Sequence, residues 1–468
     1  MADTTTSSPG SASSAAHEPA EDVVARLRST FESGRTRSLP WRRAQLDAIA
    51  RLIDEREGDL TRALVADLRR TPFEAALFDL VSTKAEIKHA VKHLEQWMKP
   101  RSVPTGIGGR PGKAWYQYEP LGVSLVIAPW NYPIHLALAP LVGAVAAGCC
   151  AVIKPSELTP ACSLVLADLI PRYLDSDAFA VVEGGPAETT AVIEQRPDHI
   201  FFTGSPTVGA AVMTTAAPHL IPVTLELGGK CPAIVAASAD IDVTARRIAF
   251  GKLVNSGQTC VAPDYVLADS RIRDDLVDAL VSTMRQFSEG RSKPVLNERH
   301  AARLARLVER AGGTTVLGGD IDISQAKADP TVIVDPAPNS TILSEEIFGP
   351  ILPVVTVDSL DGAVAHVNRG TRPLATYLFT EERPDEDRVL AEVTTGGMVV
   401  NHVMVHLGVS DLPFGGVGTS GTGTYHGHWG FESFSHPKAV VRKPAHPDLS
   451  FIYPPYSERM QKLMRRLM

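Results

Sequence analysis

Of the five cysteines in this chain, Cys149, Cys150, Cys162, Cys231 and Cys260, only the last lies in a run suited to presenting a nucleophile. Cys260 follows the small, polar segment Val254-Asn255-Ser256-Gly257-Gln258-Thr259 and precedes Val261-Ala262-Pro263. Such a segment makes a tight turn rather than a helix interior, and a turn can expose a thiol. Taken alone, the residue reads better as a structural cysteine, because free cysteine packs as a small hydrophobe. Four other stretches change that balance. Asn131, in Pro129-Trp130-Asn131-Tyr132-Pro133, is a neutral donor at the end of an apolar run, suited to stabilising an oxyanion without titrating. Lys154 and Glu157, in Lys-Pro-Ser-Glu, put both charges at the end of the next run. Glu226 stands in apolar company before Gly228-Gly229, and Glu346 precedes Ile347-Phe348-Gly349-Pro350. Each also has a plain structural reading: a capped turn, a surface ion pair, a satisfied half-buried acid, a helix end.

The elements that would hold these residues follow from apolar periodicity. Residues 20–100 read as helical, with Leu80, Ile87, Val91 and Leu94 on one face and Pro40 opening another helical run. Short apolar runs then recur at 122–128, 149–153, 178–182, 199–203 and 222–225, mostly separated by helix-like stretches. That is the rhythm of a parallel βαβ sheet. The fourth run ends in Thr203-Gly204-Ser205-Pro206-Thr207-Val208-Gly209, a strand entering a glycine turn and then a helix, which is a phosphate cradle. Two glycines alone are weaker than a full dinucleotide fingerprint. A second α/β unit starts near Gly228, with runs at 232–235, 265–268, 331–334, 351–355, 374–379 and 397–400. A helix at 301–311 is stopped by Gly312-Gly313.

Composition bounds the class. With 468 residues, 44% of them hydrophobic and 21% charged, the chain has ample core for two or three domains. A formal net charge of -7 and a pI near 6.1 disfavour a nucleic-acid partner. An odd cysteine count without a Cys-x-x-Cys pair argues against a disulfide framework and against a metal site, and fits a reducing, cytoplasmic setting. Residues 1–20 have the composition of a disordered tail without arginine or lysine. The uncharged stretch 121–153 is broken by Pro129, Pro133 and Pro140 and reads as strand, loop and buried helix rather than a membrane span. At the C-terminus, Met460, Leu463, Met464, Leu467 and Met468 oppose Arg459, Lys462, Arg465 and Arg466. A docked amphipathic helix is the main reading there and a membrane-surface contact the lesser one.

Together, the Trp-Asn, Lys-Pro-Ser-Glu, Thr-Gly-Ser, Glu-Leu-Gly-Gly-Lys, Gly-Gln-Thr-Cys and Glu-Glu-Ile-Phe-Gly-Pro motifs resemble the aldehyde dehydrogenase superfamily in order and spacing. Glu226 precedes Cys260 by 34 positions and Asn131 precedes it by 129. The run Gly-Gln-Thr-Cys-Val-Ala-Pro-Asp-Tyr and the segment 412–427 are similar to the class 3 and fatty aldehyde dehydrogenase branch, and to bacterial coniferyl aldehyde dehydrogenases. Two departures stand out: the segment 289–299 is shorter than usual, and His402 occupies a position where an aspartate is expected.

The resemblance implies an α/β fold. A Rossmann-like cofactor domain would span 21–101 and 121–228, and a catalytic α/β domain 229–420. A small β oligomerisation element would use 102–120 and 421–445, with a C-terminal tail at 446–468 carrying the amphipathic helix. It further implies that Cys260 attacks an aldehyde, that Asn131 holds the oxyanion, and that Glu226 activates the water that hydrolyses a thioester. Lys154 and Glu157 would meet the adenosine ribose. The turn from Gly204 through Ser205 to Gly209 would meet the pyrophosphate. Trp130 would line the passage, and Glu346, with Phe348 beside it, would meet the nicotinamide ribose. Glu157 would repel a 2′-phosphate, favouring NAD, with NADP possible. A homodimer acting on medium- or long-chain aliphatic or aromatic aldehydes is the expectation. Transfer of the acyl group to coenzyme A, and a nucleotide-binding protein without catalysis, are the alternatives.

Overall fold

A computed structural model describes residues 18–106, 109–448, 453–455 and 457–467. Most of the expected tail, 1–17, lies outside the described residues. Its end does not belong to a tail, because Ala20 already begins the helix Ala20–Glu32, which buries Val23, Val24 and Leu27. The chain divides into two compact units, 1–97 with 120–435, and 98–119 with 436–468.

The larger unit holds two principal sheets. In the first, five parallel strands lie in the order Val223–Leu227, His199–Gly204, Val123–Ile127, Cys150–Lys154, Phe179–Val181. The short strand Gly421–Thr422 adds antiparallel to Val223–Leu227. The chain starts in the middle, runs outward through two strands, then crosses back to the other side of Val123–Ile127. Strand order therefore reverses between Val123–Ile127 and His199–Gly204. In an open α/β sheet, the carboxyl ends at such a reversal leave a crevice for ligands. Val123–Ile127 is buried on both faces, as expected for a central parallel strand.

The helix after it, His135–Ala147, is almost wholly buried despite Pro140, and Gly148 closes it in the left-handed conformation at φ 89°. The expected strand, loop and buried helix over 121–153 are thus observed. Among the described residues no helix is long and apolar enough to cross a membrane.

The second sheet has seven strands in the order Thr314–Leu317, Thr331–Val334, Ile351–Val357, Tyr265–Asp269, Pro232–Val235, Ala375–Phe379, Gly397–Val400, all parallel except the first pair. The helix expected at 301–311 runs Glu298–Glu309, capped by the Asn297 side chain, which accepts from the His300 N–H at 3.0 Å. Leu304 and Leu307 bury its apolar stripe. The N-terminal helices differ in one detail. A π-helical turn, Ala76–Val81, precedes Ser82–Trp97, and it rotates the buried line to Thr83, Ile87, Ala90 and Leu94, leaving Val91 half-buried.

The smaller unit is a three-stranded sheet of Arg101–Val103, Lys113–Pro120 and Ser435–Arg442. The span expected to join it, 421–445, is divided by the structure. Residues 421–435 belong to the larger unit, because Gly421–Thr422 pairs with Val223–Leu227 and the helix Gly427–Ser433 packs on His135–Ala147. There Gly143 approaches the Gly430 carbonyl so closely that an added Cβ would lie 3.0 Å from it. The C-terminal helix runs Glu458–Leu467, and Met468 lies outside the described residues.

Candidate active site

A cavity of about 590 Å³ opens in the larger unit at the strand reversal. Its lining includes Trp130, Asn131, Gly204, Ser205, Glu226, Cys260, Glu346 and Phe348. Eight sequence-nominated residues from five distant segments therefore face one space.

Cys260 comes to that space through an unusual turn. The helix Ile241–Leu253 starts at the Asp240 cap, whose side chain accepts from the Val243 N–H at 2.9 Å. After Val254 come three consecutive left-handed residues, Asn255 at φ 49°, Ser256 at 58° and Gly257 at 71°. Left-handed backbone costs little at glycine but is uncommon for other residues. Gly257 has no room for a side chain either: a Cβ would sit 2.9 Å from the Lys252 carbonyl oxygen and 2.7 Å from the Gly349 carbonyl carbon. Asn255 is held by its side-chain amide, which donates at 3.0 Å to both the Asn131 and Gln258 carbonyl oxygens. Gln258 locks the turn further, donating to the Asn255 carbonyl at 3.1 Å and accepting from the Leu296 N–H at 2.9 Å. Beneath Cys260, the Cys231 thiol donates to its carbonyl at 3.4 Å.

Asn131 follows the central strand Val123–Ile127. Its Nδ2 donates to the Gln258 carbonyl at 3.1 Å, two residues before Cys260. An amide nitrogen has two hydrogens, so one remains available. The next residue, Tyr132, hydrogen-bonds Thr259 at 2.7 Å. The Trp-Asn turn and the cysteine turn are thus fastened together by buried polar contacts.

Glu226 sits on Val223–Leu227, opposite Thr203 of the neighbouring strand. Both its carboxylate oxygens are buried with no hydrogen-bond partner among the described residues. Burial raises its pKa well above the ordinary carboxylate range. Cys260 is half-buried. Its thiol is pushed up to about 12, first by desolvation and then by the Glu346 and Glu226 carboxylates. Glu346 is pushed up to about 8 by burial and by Asp264, against the backbone N–H of Gly229 and the charges of Lys230 and Arg303.

On the strand-reversal side, Ser205 caps the helix Pro206–Ala216, accepting from the Val208 N–H at 3.4 Å. The residues present fit a dinucleotide. A capped helix N-terminus enters the cavity, and at Gly204 an added Cβ would lie 2.5 Å from the Phe202 ring. At Gly228 a Cβ would strike the Glu346 carboxylate. Trp130 meets Phe348 edge-on at 5.4 Å, and Phe348 itself is held at φ 49°.

Three nominated residues do not line the cavity. Lys154 and Glu157 end the adjacent strand, where the Ala128 N–H donates to the Lys154 carbonyl at 3.0 Å. Lys154 is buried, its ammonium donates to the Pro155 carbonyl at 2.5 Å and faces the half-exposed Glu157 at 3.9 Å, and burial lowers its pKa. Gly209 is a packing position: a Cβ there would lie 2.8 Å from the Leu227 side chain, so glycine lets the helix approach the strand.

Among the lining residues outside the motifs, two share the helix Glu298–Glu309. His300 meets Trp130 edge-on at 5.0 Å. Arg303 ties down the Glu346 loop, donating to the Glu345 carboxylate at 2.9 Å and the Glu346 carbonyl at 3.0 Å. Both lie off the Leu304–Leu307 stripe, one helical turn apart. Their spacing of three was the one sequence feature they share, and an ordinary solvated helix face shows the same pattern.

Comparison with known proteins decides the family. The sequence model of the aldehyde dehydrogenase family matches residues 3–440. The chain belongs to that family.

The dehydrogenase is 43% identical over 455 residues to human aldehyde dehydrogenase family 3 member B1, covering 96% of this chain and 97% of that one. It is 42% identical over 449 residues to the dog protein named aldehyde dehydrogenase, dimeric NADP-preferring, covering 94% and 99%. Among solved structures, a substrate-bound Staphylococcus aureus AldH superposes with a TM-score of 0.91 at 39% identity, covering 96% and 99%. This dehydrogenase is accordingly an NAD(P)-dependent oxidoreductase acting on aldehydes. The α/β fold expected from the motifs is the one observed.

Proposed function

We propose that the enzyme oxidises medium- or long-chain aliphatic or aromatic aldehydes to carboxylic acids through a thioester on Cys260. The observation that carries this reading is the convergence of Cys260, Asn131 and an unpartnered Glu226 on one cavity. Cys260 releases its proton to solvent and attacks as the thiolate: its sulfur bonds to the carbonyl carbon, and the carbonyl π electrons move to oxygen. The free Asn131 N–H and, as in the family, the Cys260 backbone N–H receive that charge. A lost donor of this kind costs about 2.7–4 kcal/mol of barrier. A bound nicotinamide dinucleotide supplies the hydride acceptor. Gly204, Ser205 and the start of the helix Pro206–Ala216 would hold its pyrophosphate, Lys154 and Glu157 its adenosine ribose, and Glu346 its nicotinamide ribose, with Phe348 packing nearby and Trp130 lining the passage.

Glu226 then takes a proton from the water that cleaves the thioester. A carboxylate without a hydrogen-bond partner is free to swing toward water, and its raised pKa makes it a stronger base than an exposed acid. That base supports water as acyl acceptor over coenzyme A. Glu157 supports NAD over NADP by charge, whereas the dog relative is named as NADP-preferring. A homodimer is supported by the dimeric relative, and a cytoplasmic location by five free cysteines.

Cys260→Ala tests the assignment. Oxidation of every aldehyde in a panel of chain lengths and rings is expected to stop, while NAD binding by calorimetry persists. Turnover retained by that variant overturns the reading. Acid formed at full rate without coenzyme A excludes the alternative acceptor.

A further inference from the structure

We propose that Arg70 is a positioning residue, one that fixes the spacing between the Asn131 amide and the Cys260 turn without touching substrate. The inference deepens the reading of Asn131 as oxyanion donor and rests on it.

Arg70 follows the long helix Leu39–Leu68, whose C-terminus is closed by Arg69 in the left-handed conformation. Its guanidinium is buried and makes no part of the cavity wall. The fork reaches three segments at once. Nε donates to the Asn255 side-chain oxygen at 2.8 Å, Nη1 to Asp79 at 2.7 Å, and Nη2 to the Asn131 carbonyl. The guanidinium also stands 4.5 Å over the Tyr132 ring, whose hydroxyl bonds Thr259.

These contacts close a ring. Arg70 holds the Asn131 carbonyl; the Asn131 side chain donates to the Gln258 carbonyl; Asn255 donates to the same carbonyl and is held by Arg70. Asp79 extends the ring by accepting the N–H groups of Ile134 at 3.2 Å and His135 at 3.1 Å, just past Asn131. One side chain therefore sets both turns that bring donor and nucleophile together. A lysine could not do this, since an ammonium presents its donors from one atom rather than from a planar fork. The same ring accounts for Asn255 in the left-handed region: its side chain spends every polar atom on holding the turn.

The test is pre-steady-state hydride transfer with NAD, measured per active site counted by titration of Cys260 with iodoacetamide. Arg70→Lys keeps the charge and loses the fork. Asn255→Gly keeps the left-handed backbone, removes the bridging amide and leaves the Arg70–Asp79 ion pair in place, so it serves if Arg70→Lys does not fold. Both are expected to slow hydride transfer per titrated site by about 10²-fold, the usual cost of a misplacement near 1 Å, with the Kd for NAD unchanged. In an Asn131→Ala background, the same changes are expected to add little, because the group they position is gone. The proposal is overturned if the Asn255→Gly enzyme transfers hydride at the full rate per site. It is equally overturned if these variants lose only titratable sites, each remaining site being fast, or if the losses multiply in the Asn131→Ala background. A wild-type rate for Asn131→Ala alone would overturn the oxyanion reading itself, and the proposal with it.

Discussion

Asp79 and Glu226 are both buried carboxyls of the larger unit, and the protein treats them in opposite ways. Asp79 accepts from Arg70 and from two backbone N–H groups. Among the described residues Glu226 has no partner on either oxygen. Burial pushes both pKa values upward; at Asp79 the guanidinium and the N–H groups oppose that push, and at Glu226 nothing does. A buried polar group left without a partner costs stability, so Glu226 is an expense the fold carries. The difference separates a group that holds geometry from one that must remain free to exchange a proton.

The largest effect belongs to the unpartnered acid. Glu226→Gln removes the base at nearly constant volume, and thioester hydrolysis is expected to slow by roughly 10²–10⁴-fold, with formation of the thioester less affected. A rapid NADH burst followed by a nearly stalled steady state is the signature. The wild-type steady-state rate should rise with pH as Glu226 loses its proton, and this limb should vanish in the variant. Stability moves the other way. A carboxyl whose folded pKa lies above its unfolded value binds protons more tightly when folded, so it lowers stability as pH rises above the ordinary carboxylate range. Glu226→Gln should therefore leave stability unchanged or improved at neutral pH. A destabilised variant that hydrolyses normally would erase the contrast.

Much of this arrangement was legible in the chain. The strands of the first sheet fall within two residues of their apolar runs, because strands buried on both faces write themselves as uninterrupted β-branched and aliphatic stretches. Glu226 and Asn131 were visible as polar residues at the ends of such runs. The Arg70–Asp79 pair was not: neither residue belongs to a motif, and the segments it joins are up to 185 positions apart. Nor was the turn at 254–257 readable in detail. Its composition signalled a turn, whereas the left-handed backbone at Asn255 is maintained by tertiary hydrogen bonds to Arg70 and Asn131. The resemblance alone assigns residues 421–435 to the small β element, and their glycine-rich sequence carries no periodicity to mark another boundary. A two-residue strand and one short helix dock them on the larger unit.

The partnered acid should show the reverse pattern at a somewhat smaller scale. Asp79→Ala leaves the Arg70 guanidinium buried without its acid and two N–H groups without an acceptor. Removing one member of such a pair typically costs about 3–5 kcal/mol, and denaturant unfolding would read it directly. Replacing both Arg70 and Asp79 by apolar residues of similar size should restore much of that stability while leaving hydride transfer slow. Recovery of stability and rate together would mean that the pair supports only the fold.

Ser205 tests the contrast at its smallest, because it belongs to both classes. Its hydroxyl caps the helix Pro206–Ala216 and also faces the cavity. As a cap, its loss in Ser205→Ala should cost about 1 kcal/mol, and less here because the 3.4 Å contact is long. As a cavity group, its loss should weaken NAD binding without changing hydride transfer at saturation, since the proposed reading puts it on the pyrophosphate side and the reacting carbon near Cys260. A variant with reduced stability and an unaltered Kd for NAD would make Ser205 a structural cap alone. An unaltered stability with weakened binding would move it beside Glu226, among the groups that the fold leaves available.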